Sequence, residues 1–226
     1  MKKHTSVWLI IPHTNLHVGN ESTVTFSVID KAIQRDVTTG LPCINSSSLK
    51  GAIKEYFENI KDTDSESIKD TNIKEIFGSS KADKYNSQKG SAIFFDATLI
   101  KIPEQTTGTG TTYRLRYSEE TVKAFEEKAA LLGKTISINR EDAAVATTEE
   151  FEKLCNDDNL PIIARNCLEN GESVNLWYEQ VLPAQSVLAT IFQTDRENDL
   201  DCLNGKIVQI GANATIGYGY CKFIKL

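Results

Sequence analysis

Cysteine and histidine are too few and too scattered for most metal or disulfide frameworks. The cysteines are odd in number and contain no C-x-x-C pair: Cys43, Cys155, Cys167, Cys202 and Cys221. All three histidines lie between His4 and His17. A structural zinc site or a disulfide framework is therefore unsupported, and we expect buried, reduced thiols.

Long apolar runs are also missing, so the sequence offers no segment able to span a membrane. The short apolar stretch after Met1 ends at Pro12 without a small-residue cleavage site, which argues against a signal peptide. Apolar residues make up 40% and charged residues 25% of the 226 residues, as in an ordinary globular domain. We expect a cytoplasmic protein with a substantial core and no membrane partner.

Excess positive charge is absent, which excludes a generic polyanion binder. The net charge is −6, and residues 61–160 carry −5 of it, whereas residues 1–60 carry +1 and residues 161–226 carry −2. A nucleic-acid surface should therefore be a local groove built from the two ends of the chain.

The hydrophobic patterns predict both strands and helices. Strands are expected at residues 6–11, 23–29, 91–102, 173–181, 186–193 and 220–226. Helices are expected after Ser46, with Ile53, Tyr56, Phe57 and Ile60 inward, and over residues 118–132, with Val122, Phe125, Ala129 and Leu132 inward. Because strands and helices do not alternate strictly, the fold class is α+β.

Residues 46–51, SSSLKG, open a helix and allow two interpretations. Exposed backbone N–H groups, serine hydroxyls and Lys50 could bind an RNA phosphate. A plain serine-capped helix explains the same residues.

Other candidate residues are equally open. Asp30 could bind a metal, orient a ribose 2′-hydroxyl or be solvated, and His17 could act as a base or be structural. The loop from Gly211 to Gly219 could approach a ligand or form a tight turn, and it does not match a nucleotide-binding fingerprint. The aromatic pairs Trp177-Tyr178 and Phe94-Phe95 could stack on bases, but core packing is the better interpretation.

Taken in order, several short blocks resemble one family. They are residues 16–19 (LHVG), 28–30 (VID), 33–35 (IQR), 39–42 (TGLP) and 47–51 (SSLKG), then 95–97 (FDA), 164–166 (ARN), 175–179 (NLWYE) and 210–219. This ordered set resembles the RAMP superfamily of CRISPR proteins, and most of all the repeated backbone subunit of the type III-B Cmr complex.

The resemblance implies a modified RRM-like, ferredoxin-like domain over residues 1–226, with insertions at about 61–90 and 105–160. It also implies a thumb hairpin around Cys167–Asn175 that interrupts the guide–target duplex. The implied partners are a CRISPR guide RNA, a single-stranded target RNA, copies of the same chain and other effector subunits.

By the same resemblance, Asp30 cleaves target RNA at regular intervals and holds a divalent metal, Mg²⁺ first. The cleavage is attack of the ribose 2′-oxygen on the adjacent phosphate, which leaves a cyclic phosphate. The RNA-binding residues implied are His17, Gln34, Arg35, Ser47, Ser48, Lys50, Arg165, Asn166, Gly211, Gly217 and Gly219.

The chain departs from the family pattern in three places: Asn20-Glu21 after Gly19, Ala212 and Tyr218 in the terminal loop, and Pro103-Glu104-Gln105 where the family is basic. Two other functions stay open beside the leading one. The chain could be a non-catalytic structural subunit of the same kind of complex. It could also be a stand-alone, metal-independent nuclease for CRISPR repeat RNA, with His17 as the base.

Overall fold

The computed structural model describes residues 3–19, 29–61, 70–79, 88–108 and 110–226. Its helices are α1 (Ser46–Ile60), α2 (Asp70–Phe77), α3 (Glu119–Leu131) and α4 (Thr148–Cys155). Its strands are β1 (His4–Pro12), β2 (Cys43–Ile44), β3 (Ile93–Phe94), β4 (Ala97–Gln105), β5 (Tyr113–Ser118), β6 (Ala143–Ala146), β7 (Ile162–Glu169), β8 (Glu172–Gln180), β9 (Val187–Thr194), β10 (Ile207–Gln209) and β11 (Tyr220–Lys225). The α+β class expected from the sequence is confirmed.

Nine of these strands form one sheet in the order β10-β11-β1-β9-β4-β5-β6, with β2 beside β4 and β3 beside β9. Their pairings are antiparallel except that of β5 with β6. The first strand therefore lies between β9 and β11, two strands in from the β10 edge of the sheet. This central position explains why residues 6–11 are a continuous apolar run, since both faces of the strand are covered.

Helices cover the two faces. Trp8 and Ile10 share a cluster with Leu49, Ile53 and Phe57 of α1. Val7, which precedes Trp8 in the strand, belongs to a second cluster with Val122, Phe125 and Ala129 of α3. Because neighbouring residues of a strand point to opposite faces, α1 and α3 pack on opposite sides of the sheet.

The start of α1 differs from the expectation that Ser46–Ser48 cap it. Asn45 is the N-cap residue and makes no side-chain cap hydrogen bond. Instead Oδ1 of Asp96 accepts from the backbone N–H of Ser46 at 2.6 Å. Asp96 can reach this N–H because the single strand predicted over residues 91–102 breaks at Phe95-Asp96 into β3 and β4.

The prediction that Trp177 and Tyr178 are core residues is wrong, whereas Phe94 is buried and stacks on Phe77 at 5.5 Å. Tyr178 is exposed because β8 pairs with β7 in a two-stranded hairpin that is separate from the main sheet. Cys167, on β7, is exposed for the same reason, contrary to the expectation of five buried thiols. The hairpin turns through Asn170 and Gly171, both at positive φ, which suits a tight two-residue turn.

Some predicted features fall outside the described residues. The strand predicted at residues 23–29 lies in the undescribed range 20–28 apart from Ile29. The described part of the chain holds no helix with both the length and the apolar character needed to cross a membrane.

Candidate functional site

Asp30 is bound to the foot of the hairpin. The backbone N–H groups of Asp30 and Lys31 both donate to the carbonyl of Tyr178 at 3.1 Å. In return the N–H of Tyr178 donates to Asp30 Oδ2 at 2.7 Å, and the N–H of Gln180 donates to the carbonyl of Lys31 at 2.9 Å. The segment thus adds to the side of β8, and one oxygen of an exposed carboxylate is fixed in place.

Glu179, between those two anchoring residues, is a buried carboxylate with several donors. Trp177 Nε1 at 2.8 Å and Lys31 Nζ at 3.0 Å donate to Oε1, and Asn213 Nδ2 donates to Oε2 at 2.7 Å. Arg165 Nη1 lies 3.6 Å from Oε2. A buried charge is stable only when it is paired in this way.

The charge state of Glu179 follows from these partners. Burial raises the pKa of its carboxyl group, but the hydrogen bonds from Trp177, Lys31 and Asn213 outweigh burial and hold the pKa below its ordinary value. The carboxylate is therefore ionised at neutral pH and draws together the Asp30 segment, both hairpin strands and the glycine-rich loop.

His17 contacts Gln180, the residue after Glu179. Its ring is buried, and Nδ1 lies 2.7 Å from the carbonyl oxygen of Gln180. Since a carbonyl can only accept, Nδ1 carries the proton of this hydrogen bond, and Nε2 is the ring nitrogen left for a further contact. A Cβ on Gly19 would lie 3.2 Å from Nε2, so the chain packs closely over that nitrogen.

The glycines of the terminal loop face the protein's own backbone. A Cβ on Gly211 would lie 2.3 Å from the carbonyl oxygen of His17, and one on Gly219 would lie 2.0 Å from that of Ile210. Gly217 has a positive φ but open space around it. Close chain packing therefore explains Gly211 and Gly219, and backbone conformation explains Gly217.

Gln34 and Ser48 join this region to α1. Gln34 Nε2 donates to the carbonyl of Gly19 at 3.2 Å and to Ser48 Oγ at 3.1 Å, and its Oε1 accepts from the N–H of Asn45 at 2.8 Å. Ser47 is exposed and Lys50 is half-buried. Because their side chains make no hydrogen bond or ion pair with another described residue, these two remain available to a ligand.

Arg35 is bound within the protein. Its guanidinium donates to the carbonyls of Gly40 and Cys155, each at 2.8 Å, and to Asp157 Oδ1 at 2.7 Å. Asp157 also accepts from Gln180 Nε2 at 2.9 Å. Arg35 thus ties the end of α4 to the foot of the hairpin.

Arg165 and Asn166 lie on β7. The carbon at the centre of the Arg165 guanidinium sits 5.9 Å from the centre of the Tyr218 ring, and Nη1 has no hydrogen-bond partner in the described structure. Asn166 Oδ1 accepts from Ser173 Oγ at 2.7 Å across the hairpin. Arg165 therefore belongs to the group around Glu179, whereas Asn166 lies further out.

Three consecutive residues at the end of β8 thus organise most of the predicted site: Tyr178 holds Asp30, Glu179 holds Lys31 and Asn213, and Gln180 holds His17. The site residues expected from the sequence do not include Lys31, Glu179 or Asn213. The sequence signal that could have identified the ion pair was the glutamate of the block 175–179 together with the lysine next to Asp30. Among the described residues, no group of three or more His, Cys, Asp or Glu side chains could hold a metal ion.

Comparison with known proteins places the chain in a class. The model of the RAMP superfamily matches residues 10–222, so the chain belongs to that superfamily. It is similar to the CRISPR system Cmr endoribonuclease Cmr4 of Pyrococcus furiosus, with 26% identity covering 92% of this chain and 91% of the relative.

Solved structures agree with this fold. A subunit of the apo type III-B Cmr-beta complex has a TM-score of 0.76 at 20% identity, covering 99% of this chain and 97% of the other. Oligomeric Cmr4 from Pyrococcus furiosus has a TM-score of 0.70 at 18% identity, covering 100% of this chain and 99% of the other. The expected RAMP architecture is thereby confirmed.

Proposed function

We propose that the chain is a backbone subunit of a type III CRISPR effector that binds guide RNA and cleaves the paired target RNA at regular intervals. The curated relative named above is an endoribonuclease of the Cmr system. The observation that carries the proposal is the attachment of the Asp30 carboxylate to Tyr178, at the foot of a hairpin that extends beyond the main sheet.

The geometry suits cleavage beside an interrupted duplex. An A-form helix keeps the ribose 2′-oxygen out of line with the leaving 5′-oxygen, so a distorted backbone is needed for attack. The hairpin supplies the element that would separate the bases, and Asp30 is attached where the hairpin begins. Attack by the 2′-oxygen forms a cyclic phosphate and releases a 5′-hydroxyl.

Asp30 could provide one protein ligand to a divalent metal, and phosphate oxygens and water would provide the others. Mg²⁺ is commonly held by one or two carboxylates together with phosphate oxygens and water. Asp30 supplies one carboxylate whose Oδ1 takes no hydrogen bond from a described residue. When bound there, the ion would polarise a phosphate oxygen. Glu179 is not a candidate ligand, since its oxygens are engaged by Trp177, Lys31 and Asn213.

The guide RNA would lie along the start of α1. Ser47 and Lys50 are the available polar side chains there, and helix N-termini favour phosphate. Gln34 and Ser48 are hydrogen-bonded to each other beside this surface. The same proposal takes copies of this chain and other effector subunits as partners, as expected from the sequence.

Burial of His17 speaks against the stand-alone nuclease with His17 as the base. Its Nδ1 is engaged by Gln180 and its Nε2 is close to Gly19, which leaves little room for a ribose. The non-catalytic subunit remains the alternative that an experiment must separate.

The experiment is purification of the assembled complex, extraction of its nucleic acid and incubation with a complementary labelled RNA. The proposal expects bound RNA of uniform length with a shared 5′ segment, and target products at a regular spacing. A complex that binds target without cutting it would support the non-catalytic subunit. Cleavage of repeat hairpins by the isolated chain in EDTA would support the nuclease.

A further inference from the structure

Lys31 is a charged residue next to Asp30, and the proposed function gives its charge no role. Its side chain is 54% exposed, whereas that of its partner Glu179 is 1% exposed. Its ammonium also lies 5.2 Å from the centre of the Trp177 ring. A surface lysine is normally mobile, but this one is held at its tip by a buried carboxylate and along one side by an aromatic face.

The anchoring leaves the ammonium able to bind something else. An ammonium has three N–H donors, and Glu179 Oε1 is the acceptor that the described residues provide for one of them. The ammonium lies 3.0 Å from this buried carboxylate oxygen, so its position is set by an opposite charge. The remaining donors of a half-exposed side chain can reach an oxygen of a bound ligand.

Lys31 and Asp30 are also held by the same short stretch of β8. Both backbone N–H groups donate to the carbonyl of Tyr178. Asp30 Oδ2 accepts from Tyr178, and Lys31 Nζ donates to Glu179, the next residue. The carboxylate of Asp30 and the ammonium of Lys31 are therefore anchored to two consecutive residues of one strand.

We propose that Lys31 is a catalytic residue whose ammonium binds a non-bridging oxygen of the scissile phosphate, an inference that rests on the proposed Asp30-dependent cleavage. During attack the bond from phosphorus to the 2′-oxygen forms and the bond to the 5′-oxygen breaks. The 2′-hydroxyl loses its proton to a hydroxide ion, which becomes water, and the 5′-oxygen gains a proton from water, which regenerates hydroxide. Lys31 keeps its proton throughout and stabilises the negative charge that grows on the phosphate oxygens, as a preorganised donor does.

The test compares assembled complexes that carry Lys31→Gln, Lys31→Arg or wild-type chain, with target RNA at saturation and a single turnover observed. Removing the ammonium is expected to slow cleavage about 10- to 100-fold, less than for a fully enclosed donor because the side chain is half exposed. Arginine, which keeps the charge, is expected to restore most of the rate. Target affinity is expected to stay near wild type, since one contact of many is lost.

Lys225→Gln provides a matched control. Lys225 also pairs with a carboxylate, Asp201 at 2.5 Å, but it lies at the far end of β11 from the glycine-rich loop. Its complex is expected to cut at the wild-type rate. A second readout uses a target with one non-bridging oxygen of the scissile phosphate replaced by sulfur. The diastereomer that slows the wild-type complex should slow the Lys31→Gln complex much less, because the contact is already gone.

The outcomes separate this inference from the function it rests on. If Asp30→Asn abolishes cleavage while Lys31→Gln cuts at the wild-type rate, the role of Lys31 is refuted and the proposed function stands. If Asp30→Asn cuts normally, the proposed function fails first. If Lys31→Gln and Lys31→Arg both lose assembly or target binding in step with cleavage, Lys31 is structural and the inference is overturned.

Discussion

The backbone N–H of Tyr178 donates to Asp30 Oδ2 at 2.7 Å, across 148 residues of sequence. The next residue after each of them, Lys31 after Asp30 and Glu179 after Tyr178, belongs to an ion pair of 3.0 Å. These two contacts fasten the proposed catalytic segment to the hairpin that is proposed to enter the RNA duplex. Movement of the hairpin base therefore moves Asp30.

Glu179→Gln is expected to destabilise the protein. The change leaves Lys31 and Arg165 without their buried counter-charge, at a cost of about 2–3 kcal/mol, below that of a fully buried pair because Lys31 is half exposed. Urea unfolding at neutral pH measures the loss. Glu172→Gln, an exposed change on the same strand, should stay within about 0.5 kcal/mol of wild type.

The same pair has a defined pH dependence. The pKa of Glu179 in the folded protein lies below its reference value of 4.5. Its contribution to stability is therefore present above pH 4.5 and is lost as the pH falls through the folded pKa. The difference in unfolding free energy between wild type and Glu179→Gln should shrink in acid. A difference that grows in acid would contradict this assignment.

Gly211→Ala and Gly217→Ala should differ in effect although both glycines have a positive φ of 80° or more. At Gly217 only the left-handed conformation is penalised, which costs about 1–2 kcal/mol. At Gly211 the new Cβ also meets the carbonyl oxygen of His17 at 2.3 Å, so the cost should be clearly larger. Thermal unfolding of the two variants measures the difference. Equal losses of stability would show that the loop moves to accommodate the new Cβ at Gly211.

Lys50→Gln should weaken guide-RNA binding and make it less dependent on salt. Loss of one phosphate contact is expected to reduce the slope of log affinity against log salt by about 0.7 for single-stranded RNA. Lys54→Gln is the control, because Lys54 lies one turn further along α1 and pairs with Glu58 at 3.8 Å. Equal effects of the two variants would indicate a diffuse electrostatic attraction and no specific phosphate site.

Asp96→Asn should strengthen guide binding by up to about fivefold, because it removes a negative charge at the start of α1 while keeping an acceptor for the N–H of Ser46. Asp96→Ala also removes the acceptor and should cost about 1 kcal/mol of stability. Filter binding with the guide and urea unfolding measure the two effects. Weaker binding by Asp96→Asn would place the guide elsewhere.

Local patterns were sufficient to predict several elements. Val122, Phe125 and Ala129 recur at helical spacing, and they are the buried face of α3. The apolar run at residues 6–11 predicted a buried strand, and it forms most of β1, between β9 and β11. The break between β3 and β4 was not predictable, since Phe95-Asp96 interrupts pairing without a proline or glycine to mark it.

The site was less predictable than the fold, because it depends on distant pairings. The position of Asp30 in a polar loop leaves its role open, and only the ordered resemblance to a family assigns it to cleavage. Its link to Tyr178 and that of Lys31 to Glu179 depend on how the hairpin returns to the sheet, which no local pattern specifies. The prediction that Trp177 and Tyr178 are core residues fails because strand periodicity does not reveal whether a helix covers the strand.

The central claim is tested most directly by cleavage of a labelled target RNA with assembled complexes that contain wild-type or Asp30→Ala chain, in Mg²⁺ and in EDTA. The account predicts regularly spaced products from the wild-type complex in Mg²⁺ and none in EDTA. It predicts that the Asp30→Ala complex carries the same guide, binds the same target and yields no products. The same products at the same rate from the Asp30→Ala complex would contradict it.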